Sequence, residues 1–180
     1  MLYTLPTSIL LFLTGAYALP QWGHGYGGSG GGSQPPCSAA VVALATGIHL
    51  NIQGQYAEYN GTVHVINIET ASPVNQTAFY IAKGELLSDI QAGMNIRQFN
   101  QEIAPAGNAA LPGLAKYQAA QQTEQGLAMG LTGVLGQDQS ALSSLKSDIM
   151  AGIKLNENNL QSAVQGCELG LVFPDPDQSG

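Results

Sequence analysis

The sequence predicts an all-α protein, an up-down-up-down four-helix bundle whose two ends are joined by a disulfide. Three observations lead to this fold. Apolar residues recur at three- and four-residue steps in four successive segments, which is the spacing of one helix face. Short breaks containing proline or glycine separate the segments. Cys37 precedes the first segment and Cys167 closes the fourth, and an antiparallel arrangement of four helices would bring the two together.

Residues 1–18 have the pattern of a secretory signal peptide. An apolar run over residues 9–13 is followed by Ala16 and Ala18, small residues at the −3 and −1 positions of a cleavage site before Leu19. The run is shorter than the roughly 20 apolar residues that span a bilayer. No later segment reaches that length either, so we predict a secreted, extracellular protein without a membrane span.

Three regions follow the signal peptide. Residues 19–36 are rich in glycine and carry too few side chains to bury a core, so we predict a flexible linker. Residues 37–167 form the helical domain, and residues 168–180, with their prolines, form a flexible tail. The chain contains two cysteines, Cys37 and Cys167, and an oxidising compartment favours their pairing as a disulfide.

The first two predicted helices differ in how clearly they begin. Ser38 is a candidate N-cap for the first, and residues 60–68 are rich in β-branched side chains that would also suit a strand. We predict a helix there, bent near Gly61. For the second helix, Ser72 is the candidate cap and Pro73 the first-turn residue. The two apolar stripes comprise Val41, Ala45, Ile48, Ile52, Tyr56, Tyr59, Val63 and Ile66, then Phe79, Ala82, Leu86, Ile90, Gly93, Ile96, Phe99 and Ile103.

The third and fourth helices are bounded by proline, glycine and an acid. Pro112 opens the third helix, Gly136 is its candidate C-cap, and Asp138 is the candidate cap of the fourth. The third stripe comprises Leu114, Tyr117, Ala120, Glu124, Leu127, Leu131 and Val134. The fourth comprises Leu142, Leu145, Ile149, Ile153, Asn156, Leu160, Ala163 and Cys167.

Polar residues on these stripes admit two interpretations. Glu124 and Asn156 could meet as a polar pair inside the domain, but we interpret them as signs of a frayed register or a partly exposed face. The other acids, Glu58 among them, are expected on solvated faces. Glycines inside the predicted helices indicate close helix packing, the alternative being a soft interior that parts for an apolar ligand. They are Gly47, Gly54, Gly84, Gly93, Gly126, Gly130, Gly133 and Gly152.

The sequence offers no arrangement typical of catalysis or of metal binding. His49 and His64 lie fifteen residues apart on one predicted helix, about 22 Å along its axis, and cannot share a metal ion. No Glu-x-x-His pair of the di-iron type is present, and no cysteine is left over as a nucleophile. We therefore predict a protein that is not an enzyme and has no catalytic residue, no metal site and no cofactor.

Charge and glycosylation signals bear on the partners. The net charge of −7 disfavours a nucleic-acid partner, since phosphate backbones would be repelled. Only 9% of residues are charged, so the polar exterior consists largely of amides and hydroxyls. Asn60 and Asn75 each begin an Asn-x-Thr sequon and are predicted glycosylation sites, with Asn75 favoured because it lies at a helix start.

The layout as a whole resembles small secreted proteins of filamentous fungi. The features that carry the resemblance are the signal peptide, the glycine-rich linker, the charge-poor helical domain and the pair Cys37 and Cys167. The resemblance implies a non-enzymatic protein that acts at a cell wall, at a surface or on a host partner, including effectors with a role in virulence. Its partner would be an extracellular protein or a wall polysaccharide. The alternative is an extracellular carrier that holds a fatty acid or a sterol within the bundle.

Overall fold

The computed structural model describes residues 34–176, which form four helices. They are α1 (Ala39–Thr70), α2 (Gln76–Ile103), α3 (Leu111–Gly130) and α4 (Leu135–Ala163). Within residues 34–176 there is no strand, and a single isolated bridge joins Pro36 to Glu168. The all-α prediction is therefore confirmed. The predicted signal peptide and the predicted linker as far as residue 33 lie outside the described residues.

Helix α1 begins where the sequence predicted. The Ser38 side chain accepts a hydrogen bond from the Val41 backbone N–H at 3.3 Å, which satisfies one of the free N–H groups of the first turn. The β-branched stretch over residues 60–68 is helical and not a strand. The predicted stripe was wrong in the second half of the helix, where the buried side chains lie one position earlier. They are Gln55, Glu58, Thr62 and Val65 in place of Tyr56, Tyr59, Val63 and Ile66.

Helix α2 corrects two predictions. Its N-cap is Asn75 and not Ser72, because the Asn75 side chain accepts the Ala78 backbone N–H at 3.1 Å. Its buried face also departs from the predicted stripe after Gly93. Arg97 and Asn100 point inward there, whereas Phe99 is 57% exposed. The inward face of the second half of α2 is therefore polar. The spacing of apolar residues does not identify such a face.

The connection between α3 and α4 also differs from the prediction. Gly136 lies in the first turn of α4, and Leu131 is the C-cap of α3. Val134 occupies the N-cap position of α4, and Asp138 lies inside the first turns of that helix. Gly133 links the two helices with φ +82°, a left-handed conformation that favours glycine. A short turn that contains Gly133 thus connects the two helices, and neither Gly136 nor Asp138 occupies its predicted cap position.

Each helix packs against two others. Helix α1 contacts α2 and α4, and α3 likewise contacts α2 and α4, so each helix lies beside its neighbours in sequence and α1 lies beside α4. Two apolar clusters fill the interior between them. Cluster one contains Val65, Phe79, Ala82, Leu86, Ile90, Ala128, Leu131, Leu142 and Leu145. Cluster two contains Leu44, Ile48, Ile52, Ala110, Leu114, Ile149, Ile153 and Ala163.

The two ends of the helical domain meet at the predicted disulfide. Cys37 and Cys167 are bonded, with their Cα atoms 4.8 Å apart, which confirms that pairing. The Cys37 N–H donates to the Glu168 carbonyl, and the Glu168 N–H donates to the Pro35 carbonyl, both at 2.9 Å. The Phe173 ring stacks on His49 with the ring centroids 4.5 Å apart. These contacts hold the first part of the segment over residues 168–180, and its flexibility stays a prediction.

Candidate functional site

The most unusual feature of the interior is a set of buried polar side chains supplied by all four helices. In α1 and α3 these residues fall along the chain between members of the two apolar clusters. We call this set the polar layer. It consists of Asn51, Gln55 and Glu58 on α1, Arg97 on α2, Tyr117, Gln121 and Glu124 on α3, and Asn156 on α4. Each of the eight exposes at most 5% of its surface, so their polar groups must find partners within the protein or in bound water.

Part of the polar layer is held together by hydrogen bonds between helices. Asn156 Nδ2 donates to Gln55 Oε1 at 2.9 Å, which links α4 to α1. Arg97 Nε donates to Gln121 Oε1 at 2.8 Å, which links α2 to α3. The guanidinium also donates to Gln101 at 2.7 Å. Arg97 therefore directs these hydrogen bonds to amide oxygens, although it lies in the same layer as two carboxyl groups.

Helical glycines make room for this layer. The position that a Gly93 side chain would take lies 2.6 Å from Glu58 Oε1, 3.2 Å from Gln121 Nε2 and 3.4 Å from Asn51 Oδ1. Three polar atoms from two other helices therefore converge on the backbone of α2. The corresponding position at Gly152 lies 2.8 Å from Tyr117 Cε2 and also contacts Gln55 Nε2.

The interpretation of the helical glycines as close-packing positions holds for only some of them. Gly47 lies against Asn100, and Gly93 and Gly152 lie against the polar layer. Gly133 lies in a turn and not in a helix. A side chain at four other positions would meet open space, and these are Gly54, Gly84, Gly126 and Gly130. Close packing through glycine is thus concentrated where polar side chains cross between helices.

Glu58 and Glu124 are fully buried, and their carboxyl oxygens have no hydrogen-bond partner within residues 34–176. Burial raises the pKa of Glu58 well above its usual range, and the charges of Glu124 and Asp89 raise it further. Burial, followed by the charge of Asp148, raises the pKa of Glu124 to about 7. The arrangement therefore favours neutral carboxylic acids, which act as hydrogen-bond donors as well as acceptors.

The other members of the polar layer respond to the same burial. Burial lowers the pKa of Arg97, and burial together with the charges of Glu58 and Glu124 raises the pKa of Tyr117. The Tyr117 phenol therefore stays neutral. Chemically, the layer can bind and release protons at its two carboxyl groups, and its amides can orient a water molecule or a small polar group.

A second pair of carboxyl groups lies where α1 ends and α4 begins. Asp138 accepts backbone N–H groups from Thr132 at 2.7 Å and from Gly133 at 2.8 Å. Burial opposes the ionisation of Asp138, but these hydrogen bonds lower its pKa below the usual value. Burial and the neighbouring Asp138 raise the pKa of Glu69 to about 7. Asp138 therefore ionises first in this pair, and Glu69 loses its proton only as the pH approaches neutrality.

A cleft of about 340 Å³ lies on the surface between α3 and α4. Its floor includes Tyr117 and Gly152, which also border the polar layer. Lys116 and Asp148 contribute charges to its lining, and the remaining lining residues are Ala120, Thr123, Ala151 and Leu155. The cleft thus brings the surface close to the polar layer at Tyr117 and Gly152.

The predicted glycosylation sites and the two histidines of the first helix are not members of the polar layer. Asn60 is exposed on α1, and Asn75 is exposed at the start of α2, so both sequons begin at the surface. His64 is exposed, whereas His49 is buried against Phe173, and this burial lowers the pKa of its imidazole. Residues 34–176 hold no group of three or more histidine, cysteine, aspartate or glutamate side chains placed to bind a metal ion.

Sequence reasoning missed most of the polar layer. Glu58 was predicted on a solvated face and is fully buried, a correction that follows from the one-residue offset along α1. Glu124 and Asn156 were correctly placed on their stripes, but their interpretation as a frayed or exposed face was wrong, since both are fully buried. The available signal was that Glu124 and Asn156 interrupt otherwise apolar stripes.

Comparison of the chain with models of protein families, with curated proteins and with solved structures found no match. Among residues 34–176, no helix combines the length and the hydropathy that crossing a lipid bilayer requires.

Proposed function

We propose that this chain is a secreted, non-enzymatic protein that acts by contact between its exterior and an extracellular partner, at a cell wall, at another surface or on a host protein. The signal-peptide pattern of residues 1–18 and the disulfide between Cys37 and Cys167 support secretion. N-terminal sequencing of the protein recovered from a culture medium tests this part. A mature chain that begins at Leu19 is expected, and retention of the whole chain inside the cell would contradict it.

The proposal that the protein acts by contact rests on a group of exposed apolar side chains around the α3–α4 connection. Met129 is 63% exposed and Val134 is 47% exposed, on either side of that connection. Tyr80 of α2 is 65% exposed, and its ring packs edge-on against Phe79, which in turn lies against Gly133. We call Tyr80, Met129 and Val134 the apolar patch. Large exposed apolar side chains on a charge-poor exterior are typical of binding surfaces.

The position of the apolar patch is fixed by one side chain. The Lys83 ammonium donates to the carbonyls of Met129 and Leu131, both at 2.8 Å, and so ties α2 to the end of α3. Lys83 lies one turn after Tyr80 on the same side of α2. The patch is thus presented on a braced part of the fold, which lowers the entropy lost on binding.

Replacement of the patch tests the proposal. We expect the triple variant Tyr80→Ser, Met129→Ser and Val134→Ser to lose retention on cell-wall polysaccharide, on a hydrophobic bead or on host extract, whichever retains the wild type. Met150→Ser is the matched control, because Met150 is an exposed apolar side chain on α4 away from this connection. Equal retention of the triple variant and the control would contradict a role for the patch. Failure of the wild type to bind any of the three materials would contradict contact as the mode of action.

We also propose that the four helices run up-down-up-down as an antiparallel bundle. The order in which each helix contributes to the two apolar clusters supports this arrangement. Helix α1 supplies cluster two and then cluster one, α3 does the same, and α4 supplies cluster one before cluster two. Helix α2 supplies cluster one from its first half. The packing of each helix on its neighbours in sequence supports it as well.

The polar layer favours contact over the carriage of a lipid in the interior. A fatty acid or a sterol within the bundle would lie against Glu58, Glu124 and their neighbouring amides, where its hydrocarbon would leave those polar groups without partners. The same burial supports a non-enzymatic role, because these carboxyl groups are closed off from solvent. Lipid extraction of the secreted protein, followed by mass spectrometry, tests the carrier alternative, and a stoichiometric lipid would favour it.

A further inference from the structure

The polar layer contains two buried carboxyl groups that come from different helices. Glu58 on α1 and Glu124 on α3 are fully buried, and neither carboxyl group has a hydrogen-bond partner within the described part of the chain. Two ionised carboxylates in such surroundings would repel each other and would lack solvation. Two neutral carboxylic acids avoid both penalties. The charge state of this pair therefore affects how well the middle of the domain stays packed.

A second observation points to the same place in the fold. Asn51 is fully buried, and neither its Oδ1 nor its Nδ2 has a hydrogen-bond partner within the described part of the chain. Its Oδ1 converges with Glu58 Oε1 and Gln121 Nε2 on the backbone of Gly93. Because Arg97 donates to Gln121 Oε1, the Gln121 amide must present its NH₂ group to this point. An NH₂ donor and amide oxygens suit a carboxylic acid or a water molecule better than they suit a cation.

The charged and titratable groups around the pair favour its neutral form. Asp89 and Arg97 face it from α2, Tyr117 and Lys116 come from α3, and Asp148 comes from α4. The Arg97 guanidinium is the buried cation among them, and it hydrogen-bonds to Gln121 and Gln101. The aspartates add negative charge, so each disfavours a further carboxylate nearby.

We propose that the polar layer is a proton-dependent latch, in which neutral Glu58 and Glu124 keep the four helices packed across the layer and their ionisation opens it locally to water. The two apolar clusters lie outside the latch and stay packed when it opens. The α3–α4 cleft, whose floor borders the layer at Tyr117 and Gly152, is the route by which water enters.

The direction of the effect follows from proton linkage. A carboxyl group whose pKa is raised in the closed form binds its proton more tightly there than in the opened form. The closed form is therefore favoured at low pH and loses that advantage as the pH rises. For Glu124, whose pKa is raised from 4.5 to about 7, the advantage is lost across that interval. Opening is thus a property of neutral to alkaline media, and closure is a property of acidic media.

Hydrogen exchange measured by mass spectrometry on the full, disulfide-bonded chain tests the proposal. After correction for the pH dependence of chemical exchange, we expect the protection of amides in residues 55–62 and 117–124 to fall about 100-fold between pH 5 and pH 8.5. We expect protection in the two apolar clusters to change far less. Unchanged protection of residues 55–62 and 117–124 over this range would overturn the proposal.

Two variants separate the latch from other effects of pH. The double variant Glu58→Gln and Glu124→Gln cannot ionise and should keep its protection at pH 8.5. Glu157→Gln removes an exposed acid of α4 and should behave as the wild type does. Loss of protection in the double variant to the same extent as in the wild type would overturn the proposal. It would also be overturned if millimolar calcium restored the protection of the wild-type protein at pH 8.5, because the layer would then be a cation site.

A measurement on the wild type keeps the test independent of whether the double variant folds. The ¹³C chemical shifts of the glutamate side-chain carboxyl groups report ionisation directly. We expect the resonances of Glu58 and Glu124 to titrate well above those of the exposed glutamates. Titration of both groups in the ordinary glutamate range would overturn the latch, whatever the variants do.

Discussion

At Gly152 the backbone of α4 lies directly against two side chains of the polar layer. A side chain at this position would lie 2.8 Å from Tyr117 Cε2 and against Gln55 Nε2, and both of those residues are fully buried. One absent methyl group therefore allows α1, α3 and α4 to meet around an aromatic ring.

Gly152→Ala should lower the stability of the protein. Overpacking against a buried ring costs roughly 1–3 kcal/mol, and this exceeds the gain of about 1 kcal/mol that alanine brings to a helix interior. Gly84→Ala is the matched control, because a side chain at Gly84 of α2 meets open space and should raise stability by up to about 1 kcal/mol. Urea denaturation measures both. Similar free energies of unfolding for the two variants would contradict the close approach at Gly152.

The limits of the sequence prediction are clearest at the residue scale. Tyr56 and Tyr59 were placed inward on α1 because they are apolar, but Gln55 and Glu58 occupy those directions. A hydrophobic pattern locates an inward face only where that face is apolar. Where the interior is polar and the neighbouring positions are aromatic, the predicted inward face is displaced by one residue. The prediction then places the wrong side chains in the interior. The polar layer was hidden for this physical reason.

At the scale of the helices, the start of α2 combines two roles in one residue. Asn75 Oδ1 accepts the Ala78 N–H at 3.1 Å, and Asn75 also begins a sequon whose Thr77 is exposed. A glycan would be attached to Nδ2, which leaves the oxygen free to cap the helix. The cap and the glycosylation site are therefore compatible, and the sequon can be removed while the cap is kept.

Three substitutions separate these roles. Asn75→Ala should lower the free energy of unfolding by about 1 kcal/mol, because it removes the cap. Asn75→Asp retains an acceptor and adds a favourable negative charge at the helix start, so its stability should stay close to that of the wild type. Thr77→Val should abolish a glycan on Asn75 while leaving the cap in place. Urea denaturation of protein from a non-glycosylating host measures the first effects, and intact mass from a glycosylating host measures the last.

Either outcome at Asn75 would be informative. Equal stability of Asn75→Ala and the wild type would contradict the cap. A glycan mass that Thr77→Val leaves in place would contradict glycosylation at Asn75. The same comparison at Asn60 is made with Asn60→Asp as the variant and with Thr62→Ser, which keeps the sequon, as the control. Thr62 is buried, so its replacement by a larger side chain would confuse glycosylation with folding.

Helix boundaries were predicted unevenly for a reason that lies in local chemistry. Ser38 was identified because a single serine precedes the first stripe. Before α2, Ser72 and Asn75 are both good caps, and only the direction of the chain after Pro73 decides between them. Asp138 lies in the first turn of α4 and accepts the backbone N–H groups of Thr132 and Gly133, which stabilises the turn before the helix. That role depends on the path of the α3–α4 connection, which the sequence pattern of a helix N-cap does not describe.

At the scale of the whole molecule, the four-helix class and the disulfide were predictable because two independent features agree. Four stripes of similar length and two cysteines at the outer ends of the first and last stripe suit one arrangement. The function was not predictable in the same way. The two features to which we assign a function are the apolar patch and the polar layer. Each is formed by residues that are far apart in the sequence and come together only in the folded chain.

The disulfide should contribute a large share of the stability of this arrangement. Cys37 and Cys167 are 130 residues apart, so their bond restricts almost the whole helical domain in the unfolded state. On the chain-entropy model, a loop of this size is stabilised by about 4–5 kcal/mol. This is comparable to the net stability of many domains, which is roughly 5–15 kcal/mol.

The double variant Cys37→Ala and Cys167→Ala should therefore unfold at a markedly lower urea concentration than the wild type, with a loss approaching that size. The slope of the unfolding free energy against urea should increase, because the unfolded chain without the bond exposes more surface. Wild-type protein reduced with a phosphine is the control, and its transition should coincide with that of the double variant. A loss below about 1 kcal/mol would contradict the chain-entropy account, because the bond would then restrict the unfolded chain far less than a separation of 130 residues predicts.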